Sequence, residues 1–221
     1  MLPKLIFALD TTKVDQASHL ARMATAGGAD IIEVGTPLIK IEGVKIVKLL
    51  HTAYLDIPIH ADLKVIDFPD MEITDFFSAG ASSVSVMAFA NNNNILKALE
   101  IARSYGGEIF VSTMEYPNFE LKNRVEELSK LGVNYIIAHA SGDPKDAFND
   151  LLQKIKILRP FDNFNLIVAG GINEGNISLI LSYHPKIIII GRGISTKKDV
   201  TSAVMRIKGK ILNYHQKERG V

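Results

Sequence analysis

One stretch sets the fold of this chain: Ile57-Pro58-Ile59-His60-Ala61-Asp62-Leu63-Lys64-Val65-Ile66-Asp67, in which an apolar run passes directly into charged residues. The run indicates a buried strand, and side chains alternate across a strand, so Asp62 and Lys64 are expected on one face. Buried charge costs free energy unless it is paired, and proteins place such charges at functional sites. A structural ion pair at a strand end is the alternative. Three charges at this spacing favour a site.

The composition excludes several classes of protein. In 221 residues, 25 Lys and Arg balance 24 Asp and Glu without any basic block, so nothing indicates nucleic-acid binding. The lack of cysteine excludes disulfides, thiolate catalysis and cysteine-ligated metal centres. The N-terminal apolar run is too short for a signal peptide, and no run has transmembrane length. We therefore expect a soluble, cytoplasmic protein that binds neither nucleic acid nor membrane.

Seven further apolar runs are separated by segments with helical spacing. Rich in Ile and Val with little polar alternation, such runs are typical of parallel strands that are covered on both faces. The eight predicted strands are Leu5–Leu9, Ile31–Val34, Ile57–Leu63, Ser83–Met87, Glu108–Ser112, Tyr135–Ala138, Leu166–Ala169 and Ile187–Ile190. The helical segments include Val14–Ala26, Val44–Ala53, Ile95–Ser104, Leu121–Leu131 and Ala147–Leu158.

Eight such units predict an α/β protein, a (β/α)8 TIM barrel. The spacing of roughly 25–30 residues per unit is typical of βαβ repeats. A doubly wound open sheet is the alternative, although it usually has fewer strands. No linker interrupts the pattern, so we expect a single domain over residues 1–221.

Polar residues follow nearly every predicted strand, and barrels of this kind place their active sites at those strand ends. They are Asp10, Glu33, Asp62 with Lys64, Ser112, and His139 followed by Ser141 and Asp143. This convergence favours an enzyme. Glu33 and Asp62 come from adjacent strands, about 5 Å apart, so their carboxylates could share a Mg²⁺ ion whose shell is completed by water. The alternative is an ion pair between Glu33 and Lys64, and both arrangements can hold together.

Glycine-containing loops follow the last two predicted strands. They are Ala169-Gly170-Gly171 and Gly191-Arg192-Gly193, and helices are predicted to begin near Asn173 and Lys197. Glycine lets a ligand approach the backbone, helix N-termini present N–H groups to anions, and Arg192 can add a bidentate contact. Because these loops form the usual phosphate site of such barrels, we expect phosphate binding there.

His139 is the only histidine at a predicted strand end, and its side chain can exchange protons near neutral pH. A histidine in this position is often only a packed residue, but the neighbouring Ser141 and Asp143 favour a catalytic role. No role is assigned to the other histidines, which are His19, His51, His60, His184 and His215.

The motif Asp62-x-Lys64-x-x-Asp67, with Glu33 in Glu-Val-Gly-Thr-Pro-Leu-Ile and Gly191-Arg192 near the end, resembles the orotidine-5′-monophosphate decarboxylase superfamily. The resemblance extends from Asp10 to the last strand. Its members are homodimers with sites at the subunit interface, which implies that Asp67 serves the partner's active site. Orotidine decarboxylases carry lysine where this chain has Glu33. The resemblance therefore implies the metal-dependent branch, in which Mg²⁺ stabilises a cis-enediolate of a sugar phosphate.

Within that branch, the segment Ala169-Gly170-Gly171-Ile172-Asn173 resembles the 3-hexulose-6-phosphate synthases, aldol-type lyases that join formaldehyde to D-ribulose 5-phosphate. Gulonate-phosphate decarboxylases carry arginine where this chain has Gly142. The resemblance implies that Glu33 and Asp62 hold Mg²⁺, that Lys64 adds positive charge beside them, and that His139 moves the C1 proton. The implied substrate contacts are Asp10 at the hydroxyl groups and Ala169, Gly170, Gly171, Gly191 and Arg192 at the phosphate.

Two alternatives stay open. The segment 61–70, with Phe68-Pro69 after Asp67, also resembles orotidine decarboxylases, so the chain could be a decarboxylase of orotidine 5′-monophosphate or of 3-keto-L-gulonate 6-phosphate. Both metal-dependent enzymes carry an acid on strand 5 where this chain has Ser112, with Glu115 a candidate substitute. That difference leaves a non-catalytic sugar-phosphate-binding barrel as the other alternative.

Overall fold

The computed structural model describes residues 2–140 and 144–218 of the chain. The strands in these residues are β1 Lys4–Leu9, β2 Ile31–Val34, β3 Ile59–Val65, β4 Ala81–Met87, β5 Glu108–Ser112, β6 Tyr135–His139, β7 Asn165–Ala169 and β8 Ile187–Ile190. Each strand pairs in parallel with the next, and β1 pairs with β8. The sheet is therefore a closed barrel in sequence order, and the predicted TIM-barrel fold is confirmed.

Helices connect the strands, because parallel neighbours need a crossover. They are α1 Val14–Ala26, α2 Thr36–Glu42, α3 Val44–Ala53, α4 Pro69–Ser78, α5 Asn92–Ser104, α6 Asn118–Lys130, α7 Pro144–Leu158, α8 Ile177–Leu181, α9 Arg192–Ser195 and α10 Val200–Glu218. Sequence spacing did not predict α2, which Gly43 separates from α3 by a φ of 61° that few other residues accept. Within the described residues, no helix has the length and apolar character needed to cross a membrane.

The helices after β7 and β8 were predicted to begin near Asn173 and Lys197. The structure has α8 beginning at Ile177 and α10 at Val200, and it adds the short helix α9 before α10. Asn173 instead holds a turn, in which its backbone N–H donates to Asn176 Oδ1 at 2.9 Å and its Oδ1 accepts from the N–H of Gly175 at 2.8 Å. After β8, the short helix α9 starts at Arg192, directly behind Gly191. Arg192 therefore lies at the mouth of the barrel.

Both faces of the strands are buried, as their apolar runs predict. The outer face packs against the helices in a large cluster that includes Leu5, Phe7, Val34 and Ile188. The inner face forms a second cluster of Ile6, Ala8, Ile31, Phe110, Ile137, Ile167, Ala169, Ile187 and Ile189.

The barrel interior has two halves that differ in chemistry. Most of the inner apolar cluster comes from β6, β7, β8 and β1, which we call the apolar half. Strands β2 to β5, which we call the polar half, bury Glu33, His60, Asp62, Ser83, Ser85 and Ser112. Since buried polar groups cost free energy unless they are hydrogen-bonded, the polar half is where a site is expected.

Candidate active site

The carboxyl-terminal ends of the strands surround a cavity of about 620 Å³. Its wall contains the predicted catalytic, metal and substrate residues Asp10, Glu33, Asp62, Lys64 and His139. It also contains the predicted phosphate residues Ala169, Gly170, Gly171, Gly191 and Arg192. Of the residues predicted for the site, Asp67 is the one that this wall does not include.

Asp62 and Lys64 contact each other through an irregularity in β3 rather than by simple alternation. Lys64 has a φ of 55°, and the pairing of β3 with β4 shifts register between Ala61 and Val65. The backbone N–H of Lys64 donates to Ser85 Oγ at 2.9 Å, and Lys64 Nζ contacts Asp62 Oδ2. Irregularities of this kind re-aim side chains next to active sites.

Asp62 is a buried carboxylate that is well supported. Ser85 Oγ donates to its Oδ1 at 2.7 Å, while Thr36 Oγ1, at 2.9 Å, and Lys64 Nζ contact its Oδ2. Burial acts to raise the pKa of Asp62, but the charge and hydrogen bond of Lys64 outweigh it and bring the pKa to about 2. Because a carboxylate has about four acceptor positions, these three contacts leave one for a further ligand.

Glu33 is a buried carboxylate without such support. Among the described residues it has one polar contact, with His60 Nε2 at 4.0 Å from its Oε2. Burial raises the pKa of Glu33 well above its ordinary value, and repulsion from Asp62 and Asp10 adds to the effect. Burial lowers the pKa of His60 to about 4, so this imidazole supplies no counter-charge at pH 7. The alternative ion pair between Glu33 and Lys64 is not formed, since Lys64 pairs with Asp62.

His139 ends β6, and its ring is held by a hydroxyl group. Its Nδ1 lies 3.0 Å from Ser112 Oγ, which also accepts from the backbone N–H of Met114 at 3.3 Å. Burial lowers the pKa of His139 to about 4, so the ring is neutral at pH 7. Glu115, the candidate substitute for a strand-5 acid, is exposed and is not part of the cavity wall. Ser141, Gly142 and Asp143 lie outside the described residues.

The glycines at the mouth of the apolar half have steric reasons of their own. A Cβ at Gly191 would collide with the carboxylate of Asp10, whose pKa is raised by burial and by Asp62. Gly170 has a φ of 107°, and a Cβ there would collide with the carbonyl oxygen of Ala140. These glycines thus allow the β7 and β8 loops to pack close to Asp10 and to β6.

Asp67 is exposed in the loop between β3 and α4. Its Oδ1 accepts from the backbone N–H of Phe68 at 2.9 Å and from Asn94 Nδ2 at 3.3 Å. Asn94 also donates to the carbonyl of Ile66 at 3.0 Å. The Asp67 carboxylate is therefore fixed in position, outside the cavity of its own chain.

Sequence reasoning missed four side chains that support the site, which are Thr36, His60, Ser83 and Ser85. The alternation rule that paired Asp62 with Lys64 also places His60 on the same face, so a signal for it was present. Ser83 and Ser85 likewise stand at alternate positions of β4. Thr36 gave no such signal, because its contact with Lys64 Nζ at 2.7 Å depends on the irregularity in β3.

Glu33 and Asp62 are the side chains best placed to hold a divalent cation. No group of three or more His, Cys, Asp or Glu side chains in the described residues forms a complete metal site. Two carboxylates with open positions for water are what Mg²⁺ uses, because this ion dehydrates reluctantly. A cation here would also relieve the repulsion between two buried acids.

Comparison with known proteins places this barrel in a family. A sequence model of the orotidine 5′-phosphate decarboxylase / HUMPS family matches residues 3–207, a range that includes all eight strands. The chain belongs to this family. The family membership implied by the Asp62-x-Lys64-x-x-Asp67 motif is thus confirmed.

Several members of the orotidine 5′-phosphate decarboxylase / HUMPS family are similar to this chain over nearly its whole length. A 3-hexulose-6-phosphate synthase of Staphylococcus epidermidis is 29% identical over 209 residues, covering 94% of this chain and 98% of that protein. The structure of the 3-hexulose-6-phosphate synthase from Salmonella typhimurium has a TM-score of 0.88 at 26% identity, covering 96% of this chain and 100% of that protein. That of a 3-keto-L-gulonate-6-phosphate decarboxylase from Vibrio cholerae has a TM-score of 0.82 at 26% identity, covering 97% and 99%.

Proposed function

We propose that this chain is an aldol-type lyase, a 3-hexulose-6-phosphate synthase that joins formaldehyde to D-ribulose 5-phosphate. One observation carries the proposal: a single cavity has Glu33 and Asp62 in the polar half and the glycine loops with Arg192 at the mouth of the apolar half. A sugar phosphate needs both regions, because its phosphate must be bound and the negative charge on its sugar oxygens must be stabilised. The similarity to synthases in sequence and in structure supports this assignment.

The donor set fits Mg²⁺, the cofactor that we propose. Glu33 is 6% exposed and has no charged partner among the described residues, and Asp62, also 6% exposed, has one acceptor position left. When bound, the ion would stabilise negative charge on the sugar oxygens as a Lewis acid. Lys64 adds a fixed positive charge at the same place, held by Asp62 and Thr36.

His139 is the proposed base. When its Nδ1–H donates to Ser112 Oγ, the lone pair is on Nε2, and this nitrogen of the cavity-lining ring would take the proton from C1 of ribulose 5-phosphate. The electron pair left on C1 forms the new bond to the formaldehyde carbon, and the formaldehyde oxygen then takes up a proton. Asp10 contacts the substrate hydroxyl groups, while Gly170, Gly171, Gly191 and Arg192 bind the phosphate.

We further propose a homodimer in which Asp67 completes the partner's site. The loops after β3 and β4 and the first turn of α4 carry large apolar side chains that are 47–80% exposed, which are Ile66, Phe68, Met71 and Phe89. Such a patch marks an interaction surface, and a second copy of the chain is the partner that would bring Asp67 to a cavity. A cytoplasmic location stays a prediction from the sequence.

The dimer can be tested by complementation. Asp67→Asn and Asp62→Asn each inactivate a different component of a shared site, so each homodimer should be inactive. A refolded equimolar mixture should regain about a quarter of the parental activity, because half of the dimers are mixed and each has one intact site. A mixture that stays inactive, or a monomer in sedimentation, contradicts the shared site.

The activity is tested by formaldehyde consumption. Purified protein with Mg²⁺ should consume formaldehyde only when ribulose 5-phosphate is present, and EDTA should stop the reaction until Mg²⁺ is restored. The control is Asp62→Asn, which should be inactive under all conditions. Stabilisation by ribulose 5-phosphate without turnover would instead support a non-catalytic binding barrel.

A decarboxylase is the second candidate, because the structure of a 3-keto-L-gulonate-6-phosphate decarboxylase is similar over 97% of the chain. Release of CO₂ from that sugar phosphate and from orotidine 5′-monophosphate, each with and without EDTA, separates the candidates. Chelation should abolish the gulonate reaction and spare the orotidine reaction. The absence of CO₂ from both substrates supports the synthase.

A further inference from the structure

His60 lies in the barrel interior with one of its ring nitrogens unused. The side chain is 0% exposed and its ring stacks on Phe110, with centroids 4.7 Å apart. Its Nδ1 lies 2.8 Å from Ser83 Oγ on the neighbouring strand. Its Nε2 is buried and has no hydrogen-bond partner in the described part of the chain. Buried polar atoms are nearly always paired, so this one requires an explanation.

The strand register brings His60 to Glu33. Glu33 is the direct neighbour of His60 across β2 and β3, and Ser83 is its neighbour across β3 and β4. The three side chains therefore form a row across the polar half, with the imidazole in the middle. Nε2 lies 4.0 Å from Glu33 Oε2, slightly beyond hydrogen-bonding distance.

We propose that His60 is a positioning residue for Glu33, and that its Nε2–H donates to Oε2 once Glu33 binds a divalent cation. In the tautomer that carries its proton on Nε2, Nδ1 accepts a hydrogen bond from the Ser83 hydroxyl. A small rotation of either side chain then closes the gap. Side chains that hold a metal ligand from behind orient it and strengthen the site. This inference rests on the proposed cation site of Glu33 and Asp62.

A purely packed histidine would behave differently. An apolar residue of similar size would pack against Phe110 and would leave no nitrogen unpaired. Replacement by leucine should then leave both the stability and the metal affinity unchanged. Under our proposal, the same replacement leaves the stability of the metal-free protein intact but weakens the binding of Mg²⁺.

The experiment is calorimetric titration of Mg²⁺ into the full-length protein and into three variants, together with thermal unfolding in EDTA. His60→Leu should weaken Mg²⁺ binding by about 10–100-fold, which is the usual effect of removing such a support. His60→Gln, whose amide nitrogen can replace Nε2, should stay within about threefold of the parental affinity. His60→Asn, whose amide can replace only Nδ1, should behave like His60→Leu.

If His60→Leu binds Mg²⁺ with the parental affinity, the role proposed for His60 is overturned and the cation site is not. A parental protein that does not bind Mg²⁺ overturns the cation site as well, and Glu33→Gln shows whether the bound ion is at this site. If the variants do not fold, nitrogen-15 NMR of the unmodified protein decides the question. A slowly exchanging proton on His60 Nε2 should become visible on addition of Mg²⁺, and no change in that signal overturns the proposal.

Discussion

The polar and apolar halves of the barrel interior meet the same cavity but contribute to it in different ways. The polar half supplies side chains, such as the carboxylates of Glu33 and Asp62. Hydroxyl groups of Ser85 and Thr36 donate hydrogen bonds to Asp62. The apolar half fills its interior with Ile137, Ile167 and Ile189. At the cavity it contributes the glycine loops and three functional side chains, those of Asp10, His139 and Arg192. A barrel built from eight similar units thus uses four strands chiefly for packing and four chiefly for chemistry.

The difference shows which half of the barrel is less stable than an apolar interior would make it. In the apolar half, burial of Ile side chains stabilises the barrel directly. In the polar half, Glu33, His60 and Asp62 occupy places that apolar side chains would fill at lower cost. We infer that substitutions in the polar half, and of His139 at the end of β6, act mainly on chemistry. Substitutions in the loops after β7 and β8 should act on substrate affinity, and those in the core of the apolar half on stability.

Asp62→Asn should have the largest effect. The amide keeps the shape of the side chain but loses the charge that holds Lys64 and a cation, so kcat should fall by about 10³-fold. The measurement is kcat for formaldehyde fixation at saturating substrate. Asp56→Asn, an exposed change at the opposite end of the same βα unit, is the matched control. A fall in kcat of less than about tenfold in Asp62→Asn would contradict the assignment of the chemistry to the polar half.

Arg192→Gln should act on binding instead. Loss of a charge-assisted contact to phosphate should raise KM for ribulose 5-phosphate by about 10–100-fold while kcat changes by less than about threefold. Steady-state kinetics separate the two constants. Lys198→Gln, an exposed cation that does not line the cavity, should leave both constants unchanged. A fall in kcat with unchanged KM would contradict the assignment of phosphate binding to this mouth.

The pH dependence of stability should reveal the free-energy cost of burying His139 at the site. The pKa of His139 is about 4 in the folded chain, against 6.5 for the free side chain, so the unfolded chain takes up the proton first as pH falls. Its contribution to stability is therefore complete above pH 6.5 and is lost as pH falls towards 4. Between pH 7 and pH 5, the metal-free protein should lose about 1–2 kcal/mol more than His139→Gln does.

Urea denaturation at the two pH values, in EDTA, gives this difference. Comparison with His139→Gln cancels the opposite contribution of Glu33, whose raised pKa favours the folded state as pH falls. Equal losses in the two proteins would mean that His139 is hydrated in the folded chain.

Ile167→Val should have the smallest effect, and on stability alone. Ile167 is 0% exposed in the inner apolar cluster and is not part of the cavity wall. Removing one methyl group should cost about 1 kcal/mol of unfolding free energy. Urea denaturation measures this cost, and kcat and KM should stay within about twofold of the parental values. A change in kcat comparable to that of Asp62→Asn would show that the apolar half also shapes the chemistry.

The sequence predicted the barrel because its strands are local signals. The runs Glu108–Ser112 and Ile187–Ile190 were predicted with the bounds that the structure has, since uninterrupted Ile- and Val-rich segments between helices have few other interpretations. The helix α2 was missed because Gly43 divides one helical pattern into two. The residues of the cavity wall could also be predicted, because they directly follow these strands in the sequence.

The contacts of the site could not be predicted to the same depth, because they join residues far apart in the chain. The hydrogen bond between His60 and Ser83 spans 23 positions, and that between Lys64 and Thr36 spans 28. The register of the barrel sets which residues of neighbouring strands lie side by side, and no local sequence pattern shows this register. His60 was therefore assigned no role, although its position on the face of Asp62 was visible.

Lys64 has one further consequence, for the evolution of the chain. Its left-handed backbone, with φ of 55°, disfavours every residue with a side chain, and glycine would relieve the strain. Lys64→Gly would therefore relieve the backbone strain in β3 and would also remove the ammonium group that pairs with Asp62. Under the proposed function, glycine at this position would stabilise the barrel and abolish the activity, so stability and the proposed reaction favour different residues here.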